Sequence, residues 1–268
     1  MRTIVHLSDL HFGRVDQATL QPLSHAVQEI RPDLVAVSGD LTQRARIEQF
    51  KEAKAFLDCL PSPQIVVPGN HDLPLDNPVL RLSRPLSRFK RYITHDLAPM
   101  YIDHEIAVLG LNTTRRILWK GGRVDVEQVS SIYEHFGQLG GKQIKIVVTH
   151  HPFDLPKGFK DTHLVGRSSM AMENFAKCGV DLFLAGHLHV SHAGNTERYE
   201  IAGYSALVIQ AGTATSTRGR GELNSFNVLR IEEPEISVET HTWQQERQTF
   251  VPSQPKHFRR SSHGWRAI

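Results

Sequence analysis

The chain alternates short apolar blocks with polar stops, and the spacing inside the blocks switches between strand-like and helical. Thr3 to Leu7 reads as a buried strand that closes at Ser8-Asp9. From Asp16 to Ile30 the residues Leu20, Leu23, Val27 and Ile30 recur at helical spacing, until Pro32-Asp33 breaks the pattern. Leu34 to Val37 is a second apolar strand, ending at Ser38-Gly39-Asp40, and Ile47 to Leu60 returns to helical spacing through Phe50, Ala53, Phe56 and Leu57. Ile65 to Val67 is a third strand, ending at Pro68-Gly69-Asn70-His71-Asp72. Strand–helix–strand alternation predicts βαβ units and a parallel sheet.

Residues 73–98 break this rhythm with Pro74, Pro78, Pro85 and a basic stretch from Arg81 to Arg91. They read as a long loop with a short helix, either a lid over a catalytic face or a solvated charged helix. Met100 to Asn112 predicts two strands joined at Asp103-His104, and Val124 to Leu139 a helix. Lys145 to Val148 is a strand ending at Thr149-His150-His151-Pro152, and Ser168 to Lys177 a helix. Asp181 to Ala185 is a strand ending at Gly186-His187-Leu188-His189. Tyr199 to Gln210, Phe226 to Ile231 and Ile236 to Trp243 read as antiparallel β pieces. The predicted division is a catalytic domain over residues 1–243 and a polar, basic tail over 244–268, expected to be poorly ordered or loosely docked.

Composition narrows the class. The 268 residues are 40% hydrophobic and 22% charged, the balance of a globular protein with a sizeable core. A net charge of +3 is too mild to argue for nucleic acid or a membrane as partner. No apolar run reaches the ~18 residues of a membrane span. The N-terminus lacks the long apolar region of a secretory signal, so a cytoplasmic location is expected. Cys59 and Cys178 are the two cysteines, both in apolar helical contexts, which suggests buried free thiols. Sixteen histidines are the outlier.

Five strand ends carry metal-ligand residue types: Asp9-x-His11, Gly39-Asp40, Gly69-Asn70-His71-Asp72, His150-His151 and Gly186-His187-x-His189. Open α/β sheets bind ligands at the C-terminal ends of their strands, so the five clusters should converge on one edge. Imidazole mixed with carboxylate or amide oxygen, and no thiolate, suits Mn, Fe or Zn. Two such ions can activate water and neutralise charge on a phosphoryl group.

At these residues the chain resembles the calcineurin-like metallophosphoesterases. Their pattern is Asp-x-His, Gly-Asp, Gly-Asn-His-Asp or Glu, a His before small or Pro residues, then Gly-His-x-His. Every block is present in order, and the resemblance covers residues 3 to about 243. It implies an α/β fold: a four-layer α/β/β/α sandwich of two mixed β-sheets flanked by helices. It also implies two metal ions, one held by Asp9, His11, Asp40 and His189 and the other by Asp40, Asn70, His150 and His187. Asp40 would then bridge, with a hydroxide between the ions as nucleophile. His71 would contact the phosphate, either stabilising the transition state or protonating the leaving oxygen, with Asp72 orienting it by a hydrogen bond. His151 would lie behind the ligands. SDLHFG, SGDLT, VPGNHD, LNTTR, THHP, AGHLHVSHAG and AGTATSTRGRGELNSFNVL resemble the cyclic-nucleotide phosphodiesterase-like branch. That implies a small phosphodiester substrate such as a 3′,5′-cyclic nucleotide, and it allows a homodimer.

Further features stay open between two readings. Asn112, Thr113 and Arg115 either face substrate, beside Asn70 and His71, or form a strand-end turn. Arg218 and Arg220 either grip phosphate from a Gly-rich loop or are solvated there. His192 either extends the metal-site network or sits on a strand face. As a class, a DNA or RNA nuclease and a non-catalytic metal-binding scaffold are the alternatives to a phosphodiesterase. Near-neutral charge and little length beyond the core argue against the nuclease, and a complete ligand set with His71 argues against the scaffold.

Overall fold

The computed structural model describes residues 1–140, 143–196, 198–217 and 221–268. The first half runs β1 (Arg2–Leu7), α1 (Gln17–Ile30), β2 (Leu34–Ser38), α2 (Ile47–Asp58) and β3 (Gln64–Val67). Two short helices come next, α3 (Pro78–Ser83) and α4 (Ser87–Tyr92). Then come β4 (Met100–Ile102), β5 (Ile106–Leu111), α5 (Val126–Gly137), β6 (Ile144–Thr149), α6 (Ser168–Cys178), β7 (Leu182–Ala185), β8 (His192–Asn195) and β9 (Leu207–Gln210). The chain closes with β10 (Ser225–Glu232), β11 (Glu235–Gln244), β12 (Thr249–Pro252), β13 (Lys256–Ser261) and β14 (Gly264–Ala267).

Among the described residues the strands form two mixed sheets. One is ordered β14-β13-β11-β10-β1-β2-β3, with β12 also on β11; the other is β4-β5-β6-β7-β9-β8. β1, β2 and β3 are parallel, as are β5, β6, β7 and β9. The sheets pack face to face over Ile4, Ala36 and Val67 from the first and Val108, Ile146, Leu184 and Ile209 from the second. Burying each of the larger side chains stabilises the fold by about 1.5–3 kcal/mol. α1, α2 and α4 cover the outer face of the first sheet through Leu23, Val27, Phe50, Leu57 and Phe89. α5 and α6 cover the second through Ile132, Phe136, Met172 and Phe175. This is the four-layer α/β/β/α arrangement. Asp16 caps α1 by accepting the Ala18 N–H, and Asp125 caps α5 by accepting that of Gln128.

The tail is the main correction to the sequence reading. The 243/244 boundary falls inside β11, and most of the remaining chain is sheet rather than loose polypeptide. Phe250, Phe258 and Trp265 are buried, so each of the last three strands contributes one large apolar anchor. β14 also joins the two sheets: the Trp265 indole N–H donates to Asp181, just before β7, and so does Arg260 from β13. The Trp265 backbone N–H donates to the Ser205 carbonyl. Three smaller differences concern β8, which no sequence pattern marked, residues 199–206, which are irregular rather than strand, and Cys59, which is exposed at the end of α2 while Cys178 is buried. No helix among the described residues is long and apolar enough to cross a membrane.

Candidate metal centre

The loops after β1, β2, β3, β6 and β7 meet at one edge of the sandwich, and they are tied together through their backbones. Asp9 N–H donates to the Gly39 carbonyl at 3.0 Å, His11 N–H to the Asp40 carbonyl at 2.9 Å, and Gly186 N–H to the His150 carbonyl at 3.1 Å. Five residues of the cluster have left-handed backbone: Asp9, His11, Asp40, His187 and His189, with φ between 50° and 73°. A non-glycine residue held this way is strained by about 1–3 kcal/mol, and such residues concentrate where side-chain direction matters more than comfort. Two glycines make the approach possible. A Cβ at Gly69 would overlap the Asp40 backbone nitrogen and carboxylate, and one at Gly186 would overlap Ser8 Oγ and the Asp9 carboxylate.

One group of ligand atoms forms around Asp9. Its Oδ2 accepts from Ser8 Oγ at 2.7 Å and from the His187 N–H at 3.0 Å. Its Oδ1 lies 3.1 Å from His189 Nε2 and 3.5 Å from His11 Nε2, yet accepts no well-formed hydrogen bond among the described residues. His11 Nε2 and His189 Nε2 are themselves 3.3 Å apart. Two imidazole nitrogens and a carboxylate oxygen that close together, all buried, form a donor set suited to a cation.

A second group forms around His150. Its Nδ1–H donates to the Ser38 carbonyl at 2.8 Å, which turns Nε2 toward Asn70 Oδ1 at 3.1 Å and Asp40 Oδ2 at 3.4 Å. With Nδ1 carrying the hydrogen, a neutral His150 presents a lone pair to two oxygens, an arrangement that needs a proton or a metal between them. Burial alone would lower the His150 pKa, but the Asp40 carboxylate and then Asp9 lift it to about 9. Burial would raise Asp40, and His150, with His71 and His11, instead holds it well below the usual carboxylate range. Asp40 Oδ2 is also 3.8 Å from His11 Nε2, so this one oxygen faces both groups. His187 adds its ring 5.2 Å from that of His150; burial and the His150 charge push it down to about 3.

His151 groups with His150 and His187, but its nitrogens have other partners. Nδ1 lies 2.7 Å from Thr113 Oγ1 and Nε2 3.2 Å from the Lys120 carbonyl. Burial and the neighbouring His187 and His150 keep it neutral. His71 sits edge-on to His11 with ring centroids 5.0 Å apart, and its backbone N–H donates to Asp40 Oδ1 at 2.8 Å.

The structure reassigns several expected roles. His71 Nδ1 is 2.8 Å from the Gln43 carbonyl, so Gln43 rather than Asp72 orients the ring. Asp72 instead fastens loops together, accepting from the backbone N–H groups of Leu41, Thr42 and Gly69 and from Thr42 Oγ1. Burial, and next the Asp40 charge, push its carboxyl up to about 7 despite those donors. The Arg115 guanidinium donates to Asp125, Gln128 and the carbonyls of Asn112 and Thr114 at the start of α5, the arrangement of the strand-end turn. His192 opens the edge strand β8 opposite Gln210 and lines a cavity of about 780 Å³ with Asp154, Lys157, Lys256 and His257. Arg218 and Arg220 lie outside the described residues. His163, absent from the residues singled out in the sequence, brings its ring 5.8 Å from His187; it ends a short 3-10 helix, Asp161–His163, with no strand end to mark it.

The chain is similar to known phosphoesterases in sequence and in fold. The family profile described as calcineurin-like phosphoesterase matches residues 2–191. A glycerophosphodiester phosphodiesterase of Enterobacter lignolyticus is 35% identical over 81 residues, 26% of this chain and 29% of that one. A probable glycerophosphodiester phosphodiesterase of Arcobacter nitrofigilis is 23% identical over 220 residues, 81% of this chain and 75% of that one. A dimetal phosphatase from Danio rerio superposes with a TM-score of 0.65 at 14% identity, covering 94% of this chain and 98% of that one, a likeness of fold.

Proposed function

The chain belongs to the calcineurin-like phosphoesterases, and from that premise we propose that it is a two-metal phosphodiesterase acting on a small phosphodiester. Cyclic nucleotides and glycerophosphodiesters are the two substrate classes to test. The observation that carries the reading is the single oxygen Asp40 Oδ2 facing His11 Nε2 on one side and His150 Nε2 on the other. Asp9, His11, Asp40 and His189 would hold one ion, and Asp40, Asn70, His150 and His187 the second. Bound there, Mn, Fe or Zn ions would activate the attacking water and offset negative charge on the phosphoryl oxygens.

The chain's own residues supply the rest. Ser38 and Gln43 fix the tautomers of His150 and His71 through their carbonyls. With Nδ1–H committed to Gln43, Nε2 of His71 is the nitrogen that would meet a phosphate oxygen or hand a proton to the leaving group. His151 braces the loop after β6 against Thr113 and Lys120. The two glycerophosphodiester phosphodiesterases among the relatives support a diester over a monoester.

The test is a substrate panel on the metal-reconstituted chain: a bis-aryl phosphate, an aryl monophosphate, cyclic AMP, cyclic GMP, a glycerophosphodiester and single-stranded DNA. Chelation is expected to abolish hydrolysis, Mn to restore it better than Mg, and diesters to outrun the monoester. Full activity in excess chelator would overturn the two-metal reading, and preferential DNA cleavage would turn it toward a nuclease.

A further inference from the structure

The helix α3 is built inside out. Its charged residue, Arg81, is 1% exposed, while Val79 and Leu82, one turn apart, are 77% and 53% exposed. The turn after β5 repeats the pattern, with Ile117 69% and Trp119 54% exposed. Arg81 rivets the two segments together. It donates to the carbonyls of Arg116 and Leu118 on one side and of Leu73 and Pro74 on the other, and its guanidinium lies 4.7 Å over the Trp119 ring. Arg116 in return donates to the Leu82 carbonyl. A buried arginine satisfied by carbonyls holds four large apolar side chains outward in a fixed arrangement, and an exposed apolar patch of this kind marks an interaction surface.

Charge tells what the surface meets. Residues 77–95 contain five Lys or Arg and no Asp or Glu, and residues 113–124 contain four and none, in a chain with 31 basic and 28 acidic residues overall. Arg88 and Arg115 turn inward, whereas Arg84, Lys90, Arg91, Arg116, Lys120 and Arg123 are exposed. Two copies meeting through this lip would set like charges against each other. An apolar set containing Trp, with the exposed cations Arg84, Arg116 and Lys120 within two residues of Leu82, Ile117 and Trp119, matches the boundary between anionic headgroups and acyl chains. The lip also adjoins the metal centre: Leu73 is the residue after Asp72, and the Lys120 carbonyl lies against His151 Nε2.

We propose that α3 and the 116–120 turn dock the protein on an anionic phospholipid bilayer, with Val79, Leu82, Ile117 and Trp119 entering the headgroup layer. The mild net charge of the whole chain hid this local excess of basic residues. Docking requires no turnover, so it stands or falls apart from the proposed reaction.

The chain carries its own reporter, because Trp243 and Trp265 are buried and Trp119 is not. Titration with vesicles of phosphatidylglycerol and phosphatidylcholine is expected to shift tryptophan emission to the blue and to co-sediment the protein, while phosphatidylcholine vesicles do neither. Ile117→Ser/Trp119→Ser and, separately, Arg84→Glu/Arg116→Glu are expected to weaken sedimentation roughly tenfold or more, with thermal melting used to verify that each variant is folded. Absence of binding by the unaltered chain would overturn the proposal. So would equal binding to the neutral vesicles, or undiminished binding by both folded variants. A self-associated dimer that the Ser variant dissociates, without vesicle binding, would assign the lip to a second copy instead.

Discussion

Asp40 serves the site with three atoms at once. Its backbone carbonyl holds His11, its Oδ1 holds the His71 backbone, and its Oδ2 faces both ligand groups. Asp40→Ala is therefore expected to lose both ions, with metal content falling from about two to below one per chain and kcat/KM by roughly 10³-fold or more. Metal analysis alongside hydrolysis checks it. His71→Ala should keep its metal and lose roughly 10²- to 10⁴-fold in kcat, the scale of a positioned proton donor. A metal-free His71→Ala protein would refute that assignment. At this scale the side chains were legible, because Asp9, His11, Asp40, Asn70, His150, His187 and His189 each lie just beyond an apolar run. Their orienting partners were not. Ser38, Gln43 and Lys120 act through carbonyls, which any residue type offers, and Arg115 has a role set by its partners at the start of α5.

Helices were legible where one face alone meets the core, and strands where both faces are buried and the run is continuously apolar. α1, α2, α5 and α6 match the apolar spacing within a few residues of their bounds. α3 defeats that logic because its apolar residues face out and its arginine faces in, which is why 73–98 could be read either as lid or as solvated helix. Arg81→Met removes donors from four carbonyls and is expected to cost about 2–4 kcal/mol of unfolding free energy, measured by urea titration. An unchanged midpoint would mean that water replaces the guanidinium without loss. β12, β13 and β14 were illegible for a related reason. KHFRRS and GWRA each carry a single large apolar anchor, so no alternation emerges. Trp265→Ala should cost about 3–5 kcal/mol, since it also strips Asp181 of a donor.

Across the molecule, metal binding is expected to be coupled to folding. Left-handed backbone at five cluster residues and unsatisfied atoms at Asp9 and His11 place an unfavourable term on the metal-free fold. Free Mn at about 100 times its Kd is expected to add about 2.7 kcal/mol, a rise of roughly 5–10 °C in Tm. Calorimetry with and without chelator measures it, and the same rise in Asp40→Ala would locate the stabilising ion elsewhere.

The strand order has a temporal side. β1, which leads directly into Asp9 and His11, lies between β2 and β10, so one of its flanks is completed only by a strand near the far end of the chain. During synthesis the β1-β2-β3 unit leaves the ribosome long before that flank can be closed, with a row of N–H and C=O groups on β1 unpaired in the interval. Each nascent chain thus passes through a stage in which the strand nearest the chemistry is also an open sheet edge, the point at which a chaperone would engage it or a neighbouring nascent chain would pair with it.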